Sequence, residues 1–173
     1  MQLKRCGNMQ RLLNWPQCSW VHWISFGLGS GLMPFAPGTW GSLVGLLIGY
    51  IFVKPSFIFW CATVFVICLS FWSVPKTSSA LHCHDHKSIV IDEVAGQLFT
   101  YCLISPLFYY WANGFFIMGF LAFRLFDVYK IGWADYFDQQ RNHSSVTLDD
   151  LCAGLYAGGS IWLVTILLFI SSS

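Results

Sequence analysis

The chain has 173 residues, of which 56% are hydrophobic, 18% aromatic and only 10% charged, whereas soluble domains carry about 25% charged residues. Because a small soluble domain keeps a large surface, this composition excludes an ordinary soluble fold. It predicts an all-α integral membrane protein with one domain over residues 1–173. The net charge of +1 lacks the basic excess of a nucleic-acid-binding protein. None of the seven cysteines forms a C-x-x-C pair, so we expect no disulfide framework.

The segment 27–42 is rich in glycine and proline. It contains five glycines and two prolines, a composition that an ordinary spanning helix does not have. We expect its free backbone N–H groups, around Ser30, Gly38 and Thr39, to hold phosphate oxygens at the start of a helix. The alternative is a plain loop in which Thr39 caps the following helix.

Uncharged apolar stretches predict about five short membrane-spanning helices, within a range of four to six. They cover residues 40–53, 55–75, 94–108, 113–126 and 151–170. The first of them could begin inside the preceding Gly-rich segment. Pro106, with Asn113 and Gly114, marks the break between the third and the fourth of these helices.

This topology places the charged segments on one side of the membrane. Five spans bring the segments 76–93 and 124–150 to the same face as the N-terminal segment 1–20, and eight of the nine Lys and Arg residues then lie there. By the positive-inside rule that face is cytoplasmic. The N-terminal segment lacks the pattern of a removable signal peptide.

All eight acidic residues lie in two short segments, Asp85–Glu93 and Asp127–Asp150. We interpret this clustering as a site for a divalent cation. Asp92 and Glu93 open a predicted helix, where negative charge is favoured even without a ligand. Gly96 shares a helix face with Asp92, which would let a ligand or a second backbone approach closely.

Arg124, Asp127 and Lys130 are spaced three apart on one face of a helix that leaves the membrane. A charge inside the bilayer costs about 2.5–3.5 kcal/mol, so this face should lie at a polar site or at the interface. Its alternating charges suit a phosphate–metal site, in which cations contact phosphoryl oxygens and the acid holds the metal. A surface ion pair between Arg124 and Asp127 is the simpler alternative.

Asp149 and Asp150 stand directly before the last predicted span. One of them could cap that helix, but two adjacent carboxylates repel each other unless a cation neutralises them. Carboxylate oxygens, without cysteines at ligand spacing, favour Mg²⁺ or Mn²⁺ over zinc.

Four segments, GLGSGLMPFAPGTWGSL (27–43), HDHKSIVIDEVAG (84–96), FRLFDVYK (123–130) and LDDLCAGL (148–155), resemble the phosphatidylglycerophosphatase A family in order and spacing. The resemblance implies a Mg²⁺-dependent phosphatase of the bacterial cytoplasmic (inner) membrane that converts phosphatidylglycerophosphate to phosphatidylglycerol. It implies a catalytic or metal-binding set of five acids: Asp92, Glu93, Asp127, Asp149 and Asp150. His84 matches a motif position as a further candidate for catalysis, and Arg124 and Lys130 match as candidate phosphate contacts.

Two segments differ from the family pattern. Lys130 is followed by Ile-Gly-Trp rather than a Pro-Trp-Pro-type stretch, and 143–145 is His-Ser-Ser rather than Gly-rich. These changes leave the five acids intact and alter a loop that we expect to influence recognition of the head group. The nucleophile is either a water activated by the metal or an Asp side chain.

Two other functions remain open from the residues alone. One is a phosphotransferase that joins alcohols to CDP-diacylglycerol, but its expected D-G-x-x-A-R sequence is missing. The other is a non-catalytic membrane protein that binds or carries cations. A carrier should place acids within its spans, whereas these acids lie at span ends.

Overall fold

A computed structural model describes residues 19–52, 57–83, 86–109, 114–140, 142 and 144–172. These residues form helices and contain no strand. The α-helices among them are, in chain order, α1 (Trp20–Ser25), α2 (Pro37–Phe52), α3 (Phe57–Leu81), α4 (Ile91–Ile104), α5 (Gly114–Tyr129), α6 (Trp133–Gln139) and α7 (Ser145–Ser172). Two 3₁₀ segments, Gly27–Leu32 and Ser105–Tyr109, lie before α2 and after α4. Most of the predicted N-terminal segment, residues 1–18, lies outside the described residues.

Two helices, α3 and α7, are long and apolar enough to cross a membrane. Their outward surfaces carry large apolar side chains, among them Phe57 and Phe65 on α3 and Leu168 and Phe169 on α7, all more than half exposed. Soluble proteins rarely expose large apolar patches. The all-helical fold therefore presents the kind of surface that a lipid bilayer covers.

Helix α4 lies at the centre of the molecule and packs against α2, α3, α5 and α7. Most of its residues are buried. The hydroxyl of Tyr101 donates a hydrogen bond to the carbonyl oxygen of Phe116 on α5, at 2.9 Å. Because Asp92 and Glu93 stand in the first turn of this helix, the fold carries two acids to the edge of its own core.

Glycines on α2 allow that helix to lie directly against α4. A methyl group added to Gly45 would lie 2.8 Å from Cβ of Gln97, and one added to Gly49 would lie 2.5 Å from a ring carbon of Tyr101. Both distances are shorter than real Cβ atoms show. Small residues four apart thus allow the close helix contact that membrane proteins often use.

Helices α2 and α7 begin earlier than the apolar runs that predicted them. Helix α2 begins at Pro37 rather than at residue 40, so Thr39 lies inside the helix and does not cap it. Helix α7 begins at Ser145 rather than at residue 151, so Asp149 and Asp150 lie within its second turn. The first residues of these helices, Pro-Gly-Thr in α2 and Ser-Val-Thr-Leu-Asp-Asp in α7, are too polar to extend the apolar run, which explains why hydropathy missed them.

Two further features were not predicted. The short helix α6 lies between the last two predicted spans, where the apolar pattern predicts no helix. Against the expectation of no disulfide framework, Cys83 is disulfide-bonded. The predicted break around Pro106 lies in the 3₁₀ segment Ser105–Tyr109, and a new helix begins at Gly114.

Candidate active site

Three carboxylates meet where the start of α4 faces the second turn of α7. Asp92, Glu93 and Asp150 each offer one oxygen within 4.8 Å of the other two. Asp92 is 2% exposed and Asp150 5% exposed. Glu93 is partly exposed as a residue, but its Oε2 atom is buried and has no hydrogen-bond partner among the described residues. Three acids buried so close together require positive charge to remain ionised.

A contact between two helix backbones holds this cluster together. A methyl group on Gly96 would lie 2.7 Å from the carbonyl oxygen of Asp150, and one on Gly154 would lie 2.7 Å from the carbonyl oxygen of Gly96. These glycines stand one turn from Asp92 on α4 and one turn from Asp150 on α7. The second backbone that Gly96 was expected to admit is therefore α7.

The start of α2 closes another side of the cluster. A methyl group on Gly38 would clash with the Oε1 atom of Glu93. The side chain of Glu93 thus lies against the first turn of a helix, where unpaired backbone N–H groups favour negative charge. Gly38 is the position that leaves room for it.

Two cations stand beside the acids, each in an ion pair. Arg124 pairs with Asp127 one turn further along α5. Lys130 follows the end of α5, and its Nζ atom lies 2.7 Å from Oδ2 of Asp149. The backbone N–H of Asp150 donates to the other oxygen of Asp149 at 3.0 Å. Asp149 is therefore already engaged on both oxygens.

These groups line one cavity of about 250 Å³. Its walls come from α2, α4, α5, α7 and the segment before α4. The lining residues are Pro37, Gly38, Lys87, Ile89, Asp92, Glu93, Arg124, Asp127, Lys130, Val146, Asp149 and Asp150. The cavity thus has a buried acidic floor beside basic side chains.

Negative charges repel one another within this cavity. The carboxyl of Glu93 lies near those of Asp150 and Asp127, which disfavour its charge, whereas Arg124 favours it. A bound divalent cation would oppose this repulsion, because it favours the ionised form of each carboxyl.

The structure brings the five predicted acids, together with Arg124, Lys130 and Gly38, to this cavity. It does not bring two other candidates there. Thr39 is not a lining residue, and the hydroxyl of Ser30 donates to the carbonyl oxygen of Gly27 at 2.9 Å. His84 lies outside the described residues.

Sequence reasoning missed two residues of the site, Ser42 and Lys87. Ser42 is fully buried; its hydroxyl donates to the carbonyl oxygen of Gly38 at 3.0 Å and accepts from Arg124 at 3.4 Å. Lys87 lines the cavity from the segment before α4. Its position five residues before Asp92 was a usable signal, whereas nothing in the sequence pairs Ser42 with Arg124.

The donor set fits a hard divalent cation. Asp92, Glu93 and Asp150 supply carboxylate oxygens, and no cysteine or histidine lines the described part of the cavity. Such oxygen-only sites suit Mg²⁺, Mn²⁺ or Ca²⁺ better than zinc. With Arg124 and Lys130 adjacent, the cavity combines a cation site with groups that can bind a phosphate.

Comparison with known proteins gives consistent matches. The family model for phosphatidylglycerophosphatase A matches residues 23–165. A Haemophilus influenzae protein of that name is 36% identical over 140 residues, which cover 79% of this chain and 83% of the relative. An Escherichia coli protein of that name is 29% identical over 145 residues, covering 83% and 82%.

A third relative carries a different name. This protein, from Bacteroides thetaiotaomicron, is provisionally named a phosphatidylinositol-3-phosphatase and is 29% identical over 141 residues, covering 78% of this chain and 86% of the relative. No solved structure matches the chain. Both names describe enzymes that remove a phosphate from a lipid head group.

Proposed function

Because the chain belongs to the phosphatidylglycerophosphatase A family, we propose that it hydrolyses phosphatidylglycerophosphate to phosphatidylglycerol and inorganic phosphate. One observation carries the link to chemistry: the buried carboxylates of Asp92, Glu93 and Asp150 share a cavity with Arg124 and Lys130. Metal-assisted hydrolysis of a phosphomonoester uses both kinds of group. The acids hold the metal ion, and the metal ion and the basic side chains neutralise the charge of the phosphate.

We propose Mg²⁺ as that cation, held by Asp92, Glu93 and Asp150. The oxygen-only donor set supports this assignment, as does the buried Oε2 atom of Glu93, which has no hydrogen-bond partner in the described part of the chain. When bound, Mg²⁺ supplies charge neutralisation at the phosphoryl oxygens and lowers the pKa of water.

The chain's own residues orient the phosphate. Arg124 donates from a planar guanidinium and Lys130 from a mobile ammonium, so together they can bind the oxygens of a terminal phosphate. Asp127 and Asp149 hold these cations in place through the two ion pairs. Because Asp127 lines the same cavity, it also remains available as an attacking carboxylate; attack by water is the alternative.

The protein is proposed to be a single-domain, multi-pass protein of the bacterial cytoplasmic membrane, with the cavity facing the cytoplasm. Helices α3 and α7 are long enough to cross, and both family-named relatives are bacterial. Helices α2, α4 and α5 have 14–16 residues, roughly 21–24 Å of helix. They complete a five-span arrangement only where the bilayer is thin around the protein. The Gly/Pro-rich segment before α2 would be an irregular segment that leads into the first span.

Phosphate release from a panel of lipids tests the proposed function. Purified protein in non-ionic detergent micelles should release phosphate from phosphatidylglycerophosphate when Mg²⁺ is added and should stop when it is chelated. Phosphatidylinositol 3-phosphate serves as the competing substrate, because one relative carries that activity in its name. Faster hydrolysis of the inositol lipid, or no release from either lipid, would contradict the proposed substrate.

A further inference from the structure

Lys87 stands at the mouth of the cavity. It lines the same cavity as the acidic cluster, but it is a solvent-exposed residue. Asp92 and Asp150, in contrast, are almost completely buried. The cavity therefore extends from a buried acidic floor to a mouth that carries an exposed cation.

Lys87 also differs in its contacts from the other two cations of the cavity. Arg124 is engaged by Asp127 and Lys130 by Asp149. Of the cations that line the cavity within the described part of the chain, Lys87 is the one that forms no ion pair. An anion that reaches the mouth would thus meet one uncompensated positive charge.

The proposed substrate carries two phosphates, and this inference rests on that proposed function. The terminal phosphate is a monoester and is the group removed. The second is a diester, which joins the head group to diacylglycerol and stays on the product. A three-carbon glycerol unit separates them, so both cannot occupy the acidic floor at once.

We propose that Lys87 binds the phosphodiester of the lipid head group and thereby selects substrates with two phosphates. With the terminal phosphate at the floor, the glycerol unit extends toward the mouth and places the diester near the ammonium of Lys87. The acyl chains then remain outside the cavity. A lysine suits this role, because its ammonium sits on a flexible four-carbon stem and binds phosphate as a mobile point charge.

The test compares Lys87→Gln with wild type in non-ionic micelles, measuring kcat and KM for phosphatidylglycerophosphate and inhibition by inorganic phosphate. Inorganic phosphate represents the terminal group alone, so its binding should not involve Lys87. We expect KM to rise about three- to tenfold, as for loss of one partly exposed charge contact. The value of kcat and the inhibition by inorganic phosphate should stay within about twofold of wild type. Lys87→Arg keeps the positive charge, so its KM should lie close to the wild-type value.

Lys76→Gln is the matched control. Lys76 is also an exposed lysine, but it lies over the ring of Trp72, 4.0 Å from the ring centroid, and does not line the cavity. This variant should behave as wild type, which excludes a general effect of removing one positive charge.

Two results would overturn the proposal. One is unchanged kinetics in Lys87→Gln. The other is an equal weakening of substrate binding and of inorganic phosphate inhibition, which would place Lys87 at the terminal phosphate instead. If wild type itself released no phosphate, the proposed function would fail, and that outcome is distinct from both.

Discussion

The backbone of Gly96 on α4 lies so close to the carbonyl oxygen of Asp150 on α7 that a single methyl group on Gly96 would stand 2.7 Å from it. This contact does more than pack two helices. Asp92 stands one helical turn before Gly96, so the crossing sets the separation of Asp92 from Asp150. The acidic cluster is therefore a product of how closely two backbones approach.

Replacing Gly96 with Ala tests this dependence. The added methyl group also meets the ring of Phe123 at 2.7 Å, so the helices must move apart. Overpacking of this kind costs about 1–3 kcal/mol of stability. We expect phosphate release to fall by about tenfold or more, since small displacements of catalytic groups are costly. Gly159→Ala is the control, because a methyl group there meets nothing within 4 Å. Equal activity in the two variants would show that the crossing does not set the site.

Mg²⁺ binding should be measurable without turnover. A ligand that binds only the folded protein stabilises it by about 2.7 kcal/mol at one hundred times its Kd, so Mg²⁺ should raise the thermal unfolding midpoint of wild type. Asp92→Asn should lose most of this shift because one carboxylate is gone. Asp135→Asn should keep it, since Asp135 lies on α6 and accepts a hydrogen bond from Gln139. If Mg²⁺ raised the unfolding midpoint of Asp92→Asn as much as that of wild type, Asp92 would not be a ligand of the cation.

Ser42 is predicted to position Arg124. Its hydroxyl accepts from the guanidinium at 3.4 Å, and Ser42→Ala removes this contact while leaving the ion pair with Asp127 in place. We expect kcat/KM to fall about three- to tenfold, a loss of about 1 kcal/mol for one hydrogen bond. Ser160→Ala removes a similar serine-to-backbone hydrogen bond on α7 and should leave kcat/KM unchanged. If Ser42→Ala lowered stability but left kcat/KM unchanged, Ser42 would contribute to packing and would not position Arg124.

Gly38 is predicted to set the position of Glu93. A methyl group in Gly38→Ala would occupy the space of the Glu93 carboxylate, so Glu93 must rotate away from the start of α2. The apparent affinity for Mg²⁺ should weaken about tenfold, in the range seen when the orientation of a metal ligand is lost. A titration of Mg²⁺ against phosphate release measures this effect. Unchanged affinity would show that Glu93 is not held by the first turn of α2.

The sequence indicated much of the site because its chemistry is concentrated in few positions. Charge is so rare in this chain that the acids at Asp92, Glu93, Asp149 and Asp150 stood out, and Gly96 was recognisable as a place for close approach. The hydropathy pattern also indicated where α2, α3, α4, α5 and α7 lie in the chain, although α2 and α7 start earlier than the apolar runs.

The remaining features depend on contacts between distant segments. The hydrogen bond from Arg124 to Ser42 joins residues 82 positions apart, and no local pattern encodes it. Ser30 and Thr39 looked equivalent to Gly38 within one glycine-rich segment, yet only Gly38 faces the acids. Ser30 lies in the preceding 3₁₀ segment and bonds to Gly27 there, whereas Gly38 lies in the first turn of α2, which packs on α4.

The central claim is that a cation held by the acidic cluster enables hydrolysis of the lipid phosphate. It is tested most directly by titrating Mg²⁺ against phosphate release from phosphatidylglycerophosphate in wild type and in Asp150→Asn. Wild type should require Mg²⁺, and Asp150→Asn should lose about a hundredfold or more in kcat while keeping its folded helical content. Activity in wild type that persists when Mg²⁺ is chelated, or an Asp150→Asn variant as active as wild type, would contradict the account.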